Sequence, residues 1–350
     1  FRIDLNGMMR YNRNLVQGGY NVDADPRTPV FDFAFENDLI TYSRSTWMFR
    51  TSFKNNEEVF SNTIANAREI SQQMGGTPGP DGFADGYSLA NAYVLVPAFQ
   101  AAVEGRTAST LRDPKKVGFL LPNWNVVYSG LRNVPIINSQ FSKFDILHSY
   151  KSTYTGSGIQ SNIEFYNDPN GFDINGDRVN PYIFSQVGYV ESFAPLLGAD
   201  VTLRNNMQFR AQYNKDRLLM LGLVNHTLTE DYSKEYLVGF GYIVKDLKMK
   251  VNFTGKTKSI SSDLNIRGDF SLRDSETRIT NILQEDSQIT GGQRLLGVKF
   301  SADYNLSENL NIRLFYDQLM TRYKISTAYP LSTVRAGITA TFNFGGSGGY

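Results

Sequence analysis

Cysteine is absent from the 350-residue chain, which removes disulfides, iron–sulfur clusters and thiol catalysis from its possible chemistry. Long apolar runs are missing too. No stretch approaches the roughly 20 residues of a membrane-crossing helix, so a helical membrane protein is excluded. An excess of one charge is also lacking: 35 lysines and arginines face 34 aspartates and glutamates, a formal net charge of +1. The chain therefore has no basic footprint for nucleic acid. Only two histidines, His148 and His226, are available to act as a base for a nucleophile.

What is present is aromatic content of 13%, mostly Tyr and Phe, combined with a negative mean hydropathy. A strict two-residue alternation reconciles the two. From 264 to 272, Leu264, Ile266, Gly268, Phe270 and Leu272 alternate with Asn265, Arg267, Asp269 and Ser271. The pattern returns with Leu296, Val298, Phe300, Ala302, Tyr304 and Leu306 against Lys299, Ser301, Asp303 and Asn305, and with Leu310, Ile312 and Leu314 against Asn311 and Arg313. It closes with Ile338, Ala340, Phe342 and Phe344 against Thr339, Thr341 and Asn343. Successive strand residues point to opposite faces, so each segment is apolar on one side and polar on the other. Tilted strands of about 9–11 residues span a hydrocarbon layer with lipid on one face and water on the other.

The expected fold is an all-β membrane protein: an antiparallel transmembrane β-barrel wall of about a dozen strands with a small helical insert. Residues 1–55 read as strands and a turn-rich loop, including a strand at 44–54 with Trp47 suited to a membrane boundary. At 56–116 the period changes to 3.6. Asn56 suits an N-cap, Phe60, Ile64, Ala67, Ile70 and Met74 share a helical face, and Gly75 stops the helix. Pro97 suits the start of a second helix and Gly105 its end. These helices are expected at the rim or in the lumen. Strands resume over 117–154, a long polar surface loop follows at 155–195, and 196–344 holds about eight strands with polar loops near 255–262 and 275–292. The tail at 345–350, GGSGGY, has linker composition, and the alternation already running at Phe1 reads as a strand cut from something longer.

Within that wall the lumen-facing set is Arg210, Arg267, Asp269, Lys299, Asp303 and Arg313, and the lipid-facing set is Ile266, Phe270, Val298, Phe300, Ile312, Phe342 and Phe344. The arginines, with Arg273, suit a transport path or cross-strand pairing. Asp173, Asn175 and Asp177 have the first spacings of a calcium loop but no completing glutamate, and the same residues make Asx-turns. No other metal site is expected, nor any cofactor. His148 has Asp145 and Ser149 nearby, at odd separations that put both on the opposite strand face, so no local triad arises. The glycine-rich segment GGTPGPDGFADG lacks the Lys-Ser/Thr of a phosphate loop. The expectation is a protein that is not an enzyme.

Colinear segments spanning nearly the whole chain, among them VPAFQAAVEG, PNWNVVYSGL, ESFAPLLGADVTLRNNMQFRAQY, LNIRGDFSLRD, DYNLSENLNIRLFYDQ and STAYPLSTVRAGITATFNF, resemble the C-terminal part of the SprA/Sov outer-membrane translocon of the type IX secretion system of Bacteroidota. Residues around 17–40 and 155–190 match least. The resemblance implies a giant barrel, of about 36 strands in the largest known class, that exports folded proteins to the cell surface. This chain would be its final third, including the closing strand. The partners implied are the remainder of the same barrel polypeptide, a PorV-like shuttle barrel, a periplasmic plug protein, secreted cargo and outer-membrane lipid. The alternative is a self-contained outer-membrane barrel of about 12 strands acting as a small-solute channel, receptor or hydrolase.

Overall fold

The computed structural model describes residues 2–6, 9–17, 34–43, 52–55, 58–108, 123–253, 256–307, 309–325 and 328–342. Its thirteen strands are β1 (Arg2–Asn6), β2 (Met9–Gln17), β3 (Ala34–Ser43), β4 (Asn123–Tyr128), β5 (Phe141–Ser161), β6 (Tyr182–Ile183), β7 (Gln186–Leu203), β8 (Gln208–Gly222), β9 (Thr227–Phe253), β10 (Lys256–Asn281), β11 (Asp286–Ser307), β12 (Leu310–Tyr323) and β13 (Leu331–Phe342). All pairings are antiparallel, and from β7 to β13 each strand pairs with the next in sequence. The sheet is not closed: among the described residues β13 has a neighbour on one side only.

Alternation and pairing together create two kinds of row across the sheet. Phe144, Val201, Phe209, Phe240, Gly268, Phe300, Tyr316 and Ala336 are successive partners through eight strands. The residues one step along each strand form the neighbouring row: Asp145, Asp200, Arg210, Gly239, Asp269, Lys299, Asp317 and Arg335. A one-residue step reverses the face, so the first row is wholly apolar and the second, behind it, is charged. Further apolar rows follow on the first face, such as Ala211, Val238, Phe270 and Val298, then Tyr213, Tyr236, Leu272 and Leu296. The result is a belt that runs on β10 from Leu264 to Leu272.

β3 and β4 lie end to end along β5. Ser43 pairs with Thr153 and Trp124 with Tyr150, and between them the Asn123 Oδ1 accepts the Ser152 N–H at 2.9 Å. Residues 44–122 therefore leave the sheet in the middle of one strand line. Their helices α1 (Glu58–Met74) and α2 (Ala92–Val103) pack together through Ala67, Ile70, Val94 and Ala98. They also cover Tyr154, Tyr189, Leu219, Leu221, Leu228 and Ile282 of the sheet with Val59, Ile64, Leu95 and Phe99. Gly75, at φ +103°, ends α1 as its sequence suggests. α2 starts earlier than Pro97: Asn91 caps it by accepting the Tyr93 N–H at 2.9 Å, and the apolar run from Ala92 is buried.

Several expectations change. The covered sheet residues are in phase with the apolar belt, so the helices sit beyond the belt on the apolar face of the sheet, a place that leaves the rim expectation standing. The Lys215 Nζ connects the two regions directly, 5.7 Å from the ring of Phe53 at the insert's entrance and 5.8 Å from the ring of Tyr213 in the belt. The polar segments at 255–262 and 275–292 are largely strand, since β9 and β10 run for 27 and 26 residues and leave the belt at both ends. Residues 196–344 thus hold seven strands, counting β7, which begins earlier, rather than about eight. The polar loop shortens to 162–185, because β5 continues to Ser161 and β7 begins at Gln186. Of the strand expected at 44–54, residues 44–51 lie outside the described residues, and Ser52–Asn55 form a 3-10 turn. Asn56 and Phe344 also lie outside them.

Gly268 is the one gap in the central apolar row, and the Phe240 ring occupies it: a Cβ there would fall on the ring atoms. Gly241, by contrast, would place a Cβ in ordinary contact at 3.6 Å or more. Gly268→Val is expected to displace the ring and lower stability by about 1–3 kcal/mol, whereas Gly241→Ala changes it by less than about 1 kcal/mol. Denaturant unfolding midpoints of the two variants check this; equal midpoints contradict the role given to Phe240.

Candidate functional site

The charged face is built by cross-strand pairing. Arg210 Nε lies 2.9 Å from Asp200 Oδ1, Arg313 Nε 3.6 Å from Asp303 Oδ1 and Arg335 Nη2 3.5 Å from Asp317 Oδ2, all across strands, while Lys143 Nζ lies 3.2 Å from Asp145 Oδ2 on the same strand. Opposite charges on directly facing strand residues stabilise the sheet by a few tenths of a kcal/mol to about 1 kcal/mol per pair. Gly239 stands between Arg210 and Asp269 in the row, and its missing side chain leaves the space into which the Asp269 carboxylate leans, 2.7 Å from where a Cβ would be. All six expected lumen residues, Arg210, Arg267, Asp269, Lys299, Asp303 and Arg313, share this face. Arg273 joins them, donating to the Ser233 hydroxyl at 3.3 Å. Ile266, Phe270, Val298, Phe300, Ile312 and Phe342 share the other. From β10 to β13 acid and base alternate along the charged row, Asp269, Lys299, Asp317 and Arg335, which gives a surface of balanced charge rather than a ring of one sign.

On the apolar face, just beyond the belt, the insert is anchored to the sheet by one residue. Glu191 and Arg217 are cross-strand partners, both fully buried. The Glu191 carboxylate accepts the Ser52 N–H at 3.0 Å, the Ser52 hydroxyl, and the Tyr150 hydroxyl at 2.7 Å. Arg217 donates to the Ser52 carbonyl and pairs with Glu230 at 2.7 Å. A single serine is thus held at its N–H, its hydroxyl and its carbonyl by a buried charge pair. Phe53 follows it into an aromatic contact with Phe193 and Tyr232, centroids 5.7 and 6.0 Å away.

The residues with the calcium-loop spacing build a turn. Asp173 Oδ1 accepts the Asn175 and Asp177 N–H groups at 2.8 and 2.9 Å, an Asx-turn. Asp177 is buried and turns to the insert, where it accepts the Ser88 N–H at 2.5 Å and the Ser88 hydroxyl at 2.7 Å. Asn180 and Asn91 add a second bond between loop and insert at 2.8 Å. Loop 162–185 and the helices therefore form one clasped cap. Burial pushes the Asp177 carboxyl above its usual range, and the two Ser88 bonds pull it partly back. Among the described residues no group of three or more metal-ligating side chains converges.

His148 lies between the rings of Trp124 and Phe193, centroids 6.0 and 5.7 Å away, with Nδ1 2.7 Å from the Leu196 carbonyl. Asp145 and Ser149 are on the opposite face. His226 occupies a turn at φ +49°. No family model and no curated protein sequence matches the chain.

The Glu191–Arg217 anchor escaped the reading of motifs, yet it left a mark in the sequence. Glu191 falls in phase with Val187, Tyr189 and Phe193, and Arg217 in phase with Tyr213, Leu219 and Leu221, so each is a charge in an apolar phase. Removing one partner of a buried charge pair costs about 3–5 kcal/mol. Arg217→Met is expected to lose that much, and Arg217→Met with Glu191→Gln to recover part of it; a double-mutant cycle with no coupling would contradict the anchor. Because the Asp177 carboxyl binds its proton more tightly in the folded chain than in the unfolded one, its contribution is greatest at low pH and declines as pH rises through the carboxylate range. Hydrogen exchange at the Ser88 amide should therefore be better protected at pH 5 than at pH 7 once the intrinsic rate is corrected, and Asp177→Asn should flatten that difference.

Proposed function

We propose that this chain is part of the wall of an outer-membrane β-barrel that conducts folded proteins to the cell surface. The observation that carries the reading is the belt: nine residues deep on β10, from Leu264 to Leu272, eight strands wide at the row of Gly268, and backed there by a row charged at every position but Gly239. That depth is what tilted strands need to cross a hydrocarbon layer, about 9–11 residues. Large side chains of the belt are open to their surroundings, among them Phe270 at 42% and Ile338 at 73% exposure, which suits contact with lipid. Gly198, Gly239, Gly241, Gly297 and Gly337 all fall on the charged face, and strand glycines on one side favour curvature with that side inward.

An open sheet in lipid leaves edge N–H and C=O groups unsatisfied, each at a cost of several kcal/mol. The reading therefore assigns the unpaired edge of β13 to further strands of the same barrel, in keeping with the resemblance to the SprA/Sov translocon. The PorV-like shuttle, the periplasmic plug and the secreted cargo are the partners that go with this reading. The balanced charge of the inner face suits passage of cargo of either charge, and the mechanism needs no covalent chemistry.

Phe270→Arg, in mid-belt, is expected to destabilise the assembled protein by about 2–4 kcal/mol, while Arg267→Gln on the other face stays within about 0.5 kcal/mol. Equal loss in both refutes the membrane orientation. Deleting residues 338–342 is expected to abolish assembly and leave secretion cargo in the periplasm, whereas His148→Ala exports normally. Assembly of the deletion as a complete small barrel would favour the self-contained alternative.

A further inference from the structure

The row immediately beyond the belt on the apolar face departs from the alternation of acid and base that the charged row keeps from β10 to β13. Lys215, Lys234, Asp274, Arg294 and Arg322 are successive cross-strand partners. Lys215 faces Lys234 and Arg294 faces Arg322, two like-charge pairs directly opposed, an arrangement that destabilises a sheet. The row on the charged face alternates sign across β10 to β13; this one does not. Asp274 takes Lys324 at 2.8 Å and Arg294 at 3.2 Å, and Glu276 takes Lys324 at 3.2 Å and Arg278 at 3.3 Å, so the two acids organise the cluster without neutralising it. Lys234 and Arg322 have no ion pair among the described residues, and the side chain of Arg294 is 59% exposed. One row away lie Tyr213, Tyr236, Leu272, Leu296 and Met320.

We propose that this cationic collar binds the phosphate headgroup of an acylated lipid whose chains lie along the belt. The inference rests on the membrane-wall reading given above. An anion set between the opposed cations relieves their repulsion, and only an amphiphile places apolar chains against Leu272 and Leu296 at the same time. Free phosphate satisfies the collar but not the belt.

The test uses the intact protein in phosphatidylcholine vesicles, with spin-labelled phosphatidic acid and spin-labelled phosphatidylcholine as probes of the lipid held at the protein surface. Phosphatidic acid is expected to be preferred, by about fivefold for each cation engaged. Lys234→Gln combined with Arg322→Gln should bring the preference close to one. Arg132→Gln, at the other end of the sheet, should leave it unchanged. In the unaltered protein the preference should fall in about 1 M salt, where screening acts within about 3 Å, a readout that needs no variant. Restricted lipid without preference for phosphatidic acid, or an equal preference in the double variant, overturns the collar and leaves the wall reading intact. No restricted lipid of any kind overturns both. Full displacement of phosphatidic acid by equimolar inorganic phosphate shows that the headgroup alone is recognised and overturns the lipid assignment.

Discussion

The structure depends on an unslipped hydrogen-bond register between β8, β9 and β10. From Leu264 to Asn281, β10 pairs with β9 without interruption, and β8 pairs with β9 along its whole length. Since side chains alternate with period two, a slip of one residue on any of these strands would exchange Asp269 with Phe270, Arg210 with Phe209 and Gly239 with Phe240. The two faces are therefore specified together. The steep contrast between adjacent rows is what resists such slippage, because every misregistered strand would bring charges into the apolar belt.

Where bulges do occur they lie outside this block. Among the register shifts are those between Ser262 and Leu264, between Thr277 and Arg278 on the β11 side, and between Phe193 and Leu197. The last is close to the position at which the cap meets the sheet. There the apolar phase admits Glu191 and Arg217, which hold a backbone segment rather than each other alone. Apolar contact through Leu219, Leu221 and Ile282 supplies area, while the buried pair supplies position: apolar packing tolerates sliding, whereas a serine gripped at its N–H, hydroxyl and carbonyl has one seat.

The sequence made the sheet legible because alternation is a local signal. Leu264 to Leu272 states its own faces, and so do Leu296 to Leu306 and Ile338 to Phe342. It made the helices legible through the 3.6 period of Ile64, Ala67 and Ile70 and the stop at Gly75. What stayed illegible was relational. No local pattern tells that Asp177 bonds Ser88, 89 residues away, so a spacing shared by calcium loops and Asx-turns could not be resolved. Nor does local sequence tell which face receives an insert, so the expectation left rim and lumen open. Polar strand ends such as Lys256 to Ser262 looked like loops because their sequence lacks the two-residue alternation of the belt.

The meeting of β3 and β4 along one line of β5 carries a further consequence. β3 ends at Ser43 and β4 begins at Asn123, whose side-chain carbonyl accepts the Ser152 N–H between the two strands. Entry and exit are thus about as close as two neighbouring residues of a single strand. A segment attached in that way behaves as a graft, since its length adds nothing to the span that the sheet must cover. Lineages could enlarge, trim or replace residues 44–122 without renumbering a single cross-strand partner, so the cap is free to diversify at the pace of whatever it meets while the sheet beneath it stays fixed.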